Sequence, residues 1–252
     1  MSGHSKWATI KHKKGAADAK RGKLFAKIIK QVEVAARQGG GDIDANPTLR
    51  TMFQKARDNS VPLDTIKNAV KRGTGELEGV NYEEITYEGY APAGVALYID
   101  VLTDNRNRSA PEMRSLLSKN GGSLAEPGAV AWQFDRKGII LLPQEGNDED
   151  DLMMIALDAG AEDLASVGDA WQLTCEPTDL NRLRDALESA EVKFTSADLV
   201  MVPQQTVDLD LKDARAVLKL IETIEDNDDV QDVFSNFDIS DDVMAELAAA
   251  ED

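Results

Sequence analysis

The order of apolar-patterned segments between Lys137 and Pro203 restricts the fold more than any other feature of the chain. "KGIILLP" reads as a strand and "DEDDLMMIALDAG" as a helix. "EDLASV" and "DAWQLTC" read as a hairpin turning at Gly168 and Asp169. "TDLNRLRDALESA" is a second helix and "KFTSADLVMVP" a closing strand. That order, β-α-β-β-α-β, is ferredoxin-like.

Ahead of this unit the pattern changes twice. Residues 22–73 read as three short amphipathic helices, which suggests a three-helix bundle. The first carries Leu24, Phe25, Ile28, Ile29, Val32, Ala35 and Ala36 at helical spacing, and Gly39, Gly40 and Gly41 stop it. The second starts at Asn46 as N-cap with Pro47 in its first turn. The third has Pro62 early and Gly73 at its end. After the linker "GTGELEGVN", "YEEITYEGY" and "GVALYIDVLTD" read as strands around an "APAG" turn. "SAPEMRSLLSKNGG" reads as a helix with a capping box from Ser109 to Glu112 and a stop at Gly121. "AVAWQF" reads as a strand. Beyond Pro203, "LKDARAVLKLIETIED" and "VQDVFSNFDI" supply one more helix and strand, too little to stand alone. The expected architecture is therefore α+β and multidomain. It has a basic arm and helical bundle over 1–75 and an α+β domain from 76–136 plus 204–240. A ferredoxin-like domain, 137–203, is inserted in the latter, and a frayed acidic tail covers 241–252.

Charge follows this division. The chain of 252 residues has a net charge of -18, yet its first 75 residues sum to +10 and the remainder to -28. Such asymmetry points to a basic part that meets a polyanion and an acidic body that stays clear of it. On a helical wheel Lys20, Lys23, Lys27, Lys30 and Arg37 share an arc of roughly 100°, away from the apolar face. Ahead of them Lys6, Lys11, Lys13, Lys14 and Arg21 lie on a polar segment that reads as a mobile arm. Trp7 there is placed to stack on a base. The alternative is a solvated face that only balances the acidic body. If about six bases engage duplex DNA, the log–log salt slope is roughly -5. Arg106 and Arg108 in "TDNRNRSAPE" form a second candidate, an anion site at a helix N-terminus. The competing reading is a polar turn whose arginines pair with neighbouring acids.

Signs of catalysis are weak. His4 and His12 lie in the arm without an organised partner. "GAADAKRGKL" has the wrong spacing for a phosphate loop, and Leu24 stands where Ser or Thr is needed. The single cysteine, Cys175, excludes an internal disulfide and reads as core. "DEDD" and "EDNDD" lack calcium-loop spacing. The longest apolar runs are too short to cross a bilayer. The expectation is a cytoplasmic, non-enzymatic protein without metal, cofactor, membrane or small-molecule substrate.

Several long motifs stand in order: "GHSKWATIKHKK", "DAKRGKLFAKIIK", "GGGDIDANPTLR", "YEGYAPAGVA", "DNRNR", "DAGAED" and "DDVQDVFSN". Together, from Gly3 to about Asp242, they resemble the YebC family, also called PmpR-like regulators. Mitochondrial relatives in that family act as translational activators for cytochrome oxidase. The "GHSKW" block begins at Gly3, which leaves no room for a mitochondrial presequence, so a bacterial member is expected. The resemblance implies three domains, the third ferredoxin-like and inserted in the second. It also implies non-enzymatic control of gene expression. One description of the family is DNA-binding transcriptional regulation. Another is a ribosome-associated translation factor that binds ribosomal RNA and relieves stalls at proline-rich stretches. Both demand a polyanionic partner, DNA or ribosomal RNA.

Overall fold

A computed structural model describes the backbone of residues 18–249, with side chains from Arg21 to Leu247. Three helices open it: α1 (Asp18–Gly39), α2 (Pro47–Asp58) and α3 (Leu63–Thr74). Their apolar faces meet over Ile28, Val32, Ala36, Leu49, Ala56 and Ile66. Asn46 ties the turn together. Its side chain accepts from Leu49 N as the N-cap of α2 and donates to Ala35 O and Gly40 O at the end of α1. Gly73 does not end the third helix. The left-handed residue that does so is Gly75, φ 83°. Gly73 instead lets α3 touch α1, because a Cβ there would sit 2.4 Å from Glu33 O and 2.7 Å from Ala36 Cβ.

The second domain is a sheet in the order β3-β1-β2-β9. Its strands are β1 (Glu83–Tyr90), β2 (Ala96–Thr103), the two-residue β3 (Ser123–Leu124) and β9 (Val230–Ser235). Helices α4 (Arg106–Lys119) and α7 (Leu211–Glu225) cover it. The shared core includes Leu97, Ile99, Met113, Leu117, Val217 and Ile221. The capping box expected at Ser109 is absent. Asn105 caps α4, its side chain accepting from Arg108 N, and Ser109 is buried one turn inside. Gly121, φ 81°, follows the helix end as expected.

The segment "AVAWQF" is not a strand up to Phe134. Ala131–Gln133 is a 3₁₀ turn, held by a carboxylate about forty residues earlier. Buried Glu88 accepts from the backbone N–H of Gly128, Val130 and Ala131 at 2.6, 2.6 and 2.8 Å. Burial alone would raise this carboxyl group's pKa; the three N–H groups outweigh it and hold the value below the ordinary range.

From Phe134 a second sheet forms in the order β5-β6-β4-β7, every pairing antiparallel. It comprises β4 (Phe134–Pro143), β5 (Ala161–Val167), β6 (Ala170–Cys175) and β7 (Ser196–Pro203). Helices α5 (Glu149–Asp158) and α6 (Leu180–Ser189) pack on it around Ile140, Leu152, Leu173 and Leu183. This is the strand order of a ferredoxin-like unit. The chain leaves the first sheet after β3 and rejoins it at β9. A short parallel pair, β8 (Val207–Asp208) with β10 (Phe237–Asp238), closes the return. The acidic tail is a helix rather than frayed chain as far as Ala249. In α8 (Asp241–Ala249), Val243, Met244 and Leu247 pack on the core of the second domain.

Candidate nucleic-acid interface

The lysine face of α1 does not point into open solvent. Its apolar side faces α2 and α3, and its lysines meet the C-terminal end of α7 and the acidic loop that follows. A helix C-terminus leaves carbonyl oxygens without intrahelical donors and carries the negative end of the helix dipole. Lys27 Nζ donates to Glu225 O at 2.7 Å, and Lys30 Nζ to Asp228 O at 2.8 Å. Lys23 Nζ lies 3.1 Å from Asp226 Oδ1. The spacing i, i+4, i+7 puts all three ammonium groups on one stripe, so one acidic loop can receive them together.

Asp229 is the hub of this contact. Arg108 donates to its Oδ2 at 2.7 Å and Thr103 Oγ1 at 3.0 Å, while Lys30 Nζ lies 3.6 Å from Oδ1. Burial pushes this carboxyl upward, but Arg108, Thr103 and Lys30 together hold it below its ordinary value. Arg108 also pairs with Asp104 at 2.9 Å. Of the two readings of this turn, Arg108 therefore follows the paired one. Arg106 is exposed at the first position of α4. Arg37 donates to Val80 O and Asn81 Oδ1, fastening α1 to the linker. The guanidinium of Arg21 lies 5.5 Å over the Phe25 ring.

The other expected residues, Lys6, Trp7, Lys11, Lys13 and Lys14, lie outside the described residues, as does the side chain of Lys20. The structure thus groups Lys23, Lys27, Lys30 and Arg108 about one acidic loop and sets Arg37 apart from it. No local signal in the sequence announces this, because the partners of the α1 lysines stand about 200 positions away.

A cleft of about 320 Å³ opens where the three domains meet, with Gln31, Lys55, Asp100, Asp198 and Asp232 among its lining residues. Burial first, then the neighbouring Asp232, pushes the Asp100 carboxyl up to about 6. Cys175 is fully buried with its thiol pushed up to about 11, chiefly by burial, which makes it a poor nucleophile. Among the described residues no helix is long and apolar enough to cross a membrane.

Comparison with known proteins accounts for nearly the whole chain. Residues 5–76 match the family model of the TACO1/YebC protein N-terminal domain, and residues 82–237 that of the TACO1/YebC second and third domain. A protein of Bifidobacterium animalis subsp. lactis is 59% identical over 248 residues, covering 98% of this chain and 99% of its own. One from Acidothermus cellulolyticus is 56% identical over 248 residues, covering 98% and 100%. Each bears the name "Probable transcriptional regulatory protein". The crystal structure of a conserved hypothetical protein from Aquifex aeolicus superposes with a TM-score of 0.80 at 40% identity, covering 89% of this chain and 93% of that one. With both family models matched in order and relatives of this identity aligned from end to end, the chain belongs to the TACO1/YebC family.

Proposed function

We propose that the protein is a DNA-binding regulator of transcription that grips the phosphate backbone through its basic N-terminal segment. The observation that carries this reading is the separation of charge, +10 on the first 75 residues against -28 on the rest. The name borne by the relatives supports a role in transcription. Because Lys23, Lys27 and Lys30 engage the loop over 225–229, the reading assigns first contact with phosphate to Lys6, Lys11, Lys13, Lys14, Lys20 and Arg21. Each phosphate neutralised releases condensed counterions, so binding weakens steeply with salt. In this reading the protein acts by occupying nucleic acid, not by catalysis.

The test is binding of promoter fragments by the intact chain and by one truncated before Leu24. The intact chain binds and the truncated one does not. Equal affinity of the two overturns the reading. A second reading, binding of ribosomal RNA by a translation factor, is favoured by the position of the basic residues on a segment ahead of a helix, which suits irregular RNA. Ultraviolet crosslinking in cells with sequencing of bound DNA and RNA separates the two. Enriched promoters support the first, and enriched ribosomal RNA with co-sedimenting ribosomes the second.

A further inference from the structure

The helix whose C-terminus receives the α1 lysines carries a line of positive charge of its own. Lys212, Arg215 and Lys219 stand at i, i+3 and i+7 on α7, and all three are exposed. At 100° per residue they fall within an arc of about 60°, opposite the buried Ala214, Val217 and Ile221. They span about 10 Å along the axis. None of their charged groups has an ion-pair or hydrogen-bond partner among the described residues.

Other bases of the acidic body, among them Arg114, Lys119 and Lys193, also lack an ion pair among the described residues; what sets this line apart is three of them in register on one helix face. Beyond residue 75 the chain has 12 bases against 40 acids, and Arg108, Lys137, Arg182 and Arg184 are ion-paired. Of the acids on this helix Glu222 shares the exposed face, one turn beyond Lys219, while the two at its start are placed otherwise. Asp210 caps it by accepting from Asp213 N, and Asp213 lies about 100° round from Lys212. Lys212, Arg215 and Lys219, with the capping Asp210, border a surface groove along this flank.

Position adds a second argument. Lys23, at the start of α1, sits against Asp226 just past the end of α7. From there, at 1.5 Å per residue, Lys219 is about 10 Å and Lys212 about 20 Å along the helix. A polyanion that meets both the start of α1 and this line spans about 10–20 Å of helix surface.

We propose that Lys212, Arg215 and Lys219 form a second phosphate-contact line, for the backbone of duplex DNA. The inference rests on the nucleic-acid reading above and extends it to a domain whose net charge is acidic. A duplex is the occupant because the charges sit at fixed spacing on a rigid helix and match a regular, stiff polyanion. None of the described residues that border the groove is aromatic, so none offers a ring on which single-stranded bases would stack. Contacts of this kind add affinity and orientation, not base readout.

The test uses the full chain and a labelled duplex of about 20 base pairs, with affinity measured by anisotropy across a salt series. The variant is Lys212→Gln/Arg215→Gln/Lys219→Gln; its control is Arg114→Gln/Lys119→Gln/Lys193→Gln, an equal removal of exposed charge from the acidic body. The α7 variant binds roughly ten- to a hundredfold more weakly at moderate salt, and its log–log slope is shallower by about 2 to 3. The control changes little, and both variants melt at the parent temperature. An unchanged slope in the α7 variant overturns the inference and leaves the proposed function standing. Equal losses in both variants overturn it as a bulk-charge effect. Preference for single-stranded RNA with the same dependence overturns the assignment of duplex DNA. Failure of the intact chain to bind any nucleic acid defeats both readings.

Discussion

The helical domain is joined to the other two domains by contacts of opposite character. At the first joint, α1 sends lysines to carbonyl oxygens and carboxylates at the end of α7, and the outermost pair is open to water: Lys23 is 49% and Asp226 74% exposed. At the second joint, α2 meets the ferredoxin-like unit through a closed ion pair. Arg184 of α6, 7% exposed, forks onto both oxygens of Asp58 at 2.7 and 2.8 Å. Its Nε donates to Glu188, and its guanidinium lies 4.8 Å over the Phe194 ring. Lys55 adds a pair with Asp198 at 3.2 Å. Both joints are made of opposite charges. Burial decides what each can do. Water and salt compete for the outer pair of the first, and a phosphate can replace its anion, while the inner pair, Lys30 with Asp229, is 19% and 13% exposed. The second is sheltered, and nothing in solution substitutes for Asp58.

The largest expected effect follows from that shelter. Arg184→Ala leaves Asp58 facing a vacated, poorly solvated site. It lowers unfolding stability by about 2–4 kcal/mol, somewhat below a fully buried pair because Asp58 is 30% exposed. Arg184→Lys keeps the charge but loses the fork and the ring contact, so it falls between the two. Urea unfolding measures both, and a loss under 1 kcal/mol for Arg184→Ala breaks the comparison.

The cleft between the joints gives an effect of intermediate size, and one that depends on pH. Asp100 faces Asp232 and Glu84, with Thr86 donating to it and Arg136 nearby. Its folded pKa, about 6, exceeds the 3.8 of the free group, so the folded state holds the proton longer. Its contribution to stability is complete below about pH 4 and is lost as pH rises through about 6. Asp100→Asn cannot lose it. The variant's stability relative to the parent therefore climbs over that window, by on the order of 1–3 kcal/mol, and is level above it. A difference that is flat across the window shows that the two carboxylates are not pressed together.

Much of this architecture was legible in the chain. The helices of the first domain and the β-α-β-β-α-β order follow from apolar spacing, a local property that survives tertiary packing. What failed had a remote cause. "AVAWQF" has the look of a strand, but Glu88, far away in sequence, claims the N–H groups of Val130 and Ala131 and turns the backbone there. Ser109 and Glu112 have capping-box spacing, yet Asn105 reaches Arg108 N first. The lysine stripe was readable as a stripe, but Asp226, Asp228 and Asp229, which face it, lie some 200 residues on. Arg184 gave no signal at all, since it sits between Leu183 and Leu187 on a helix whose apolar face it shares. The line on α7, by contrast, has plain helical spacing. Its significance appears only once all three side chains are seen to be exposed on one face without a partner among the described residues.

The smallest effects belong to the exposed joint, and they test whether it is as replaceable as its chemistry implies. Lys23→Ala removes a pair between two well-solvated groups and changes stability by no more than about 0.5 kcal/mol. Lys27→Ala and Lys30→Ala each remove an ammonium from the negative end of α7 and cost about 1 kcal/mol at low salt. High salt screens the parent's contact, so the difference between parent and variant shrinks as salt is raised. The difference for Arg184→Ala does not. Inorganic phosphate at matched ionic strength shrinks it further, because the multivalent anion competes with the carbonyl and carboxylate oxygens of the loop for the lysines. Chemical unfolding of the four variants at low salt, high salt and phosphate is the measurement. If Lys27→Ala keeps its full cost in phosphate, the first joint is as closed as the second, and burial is not what separates them.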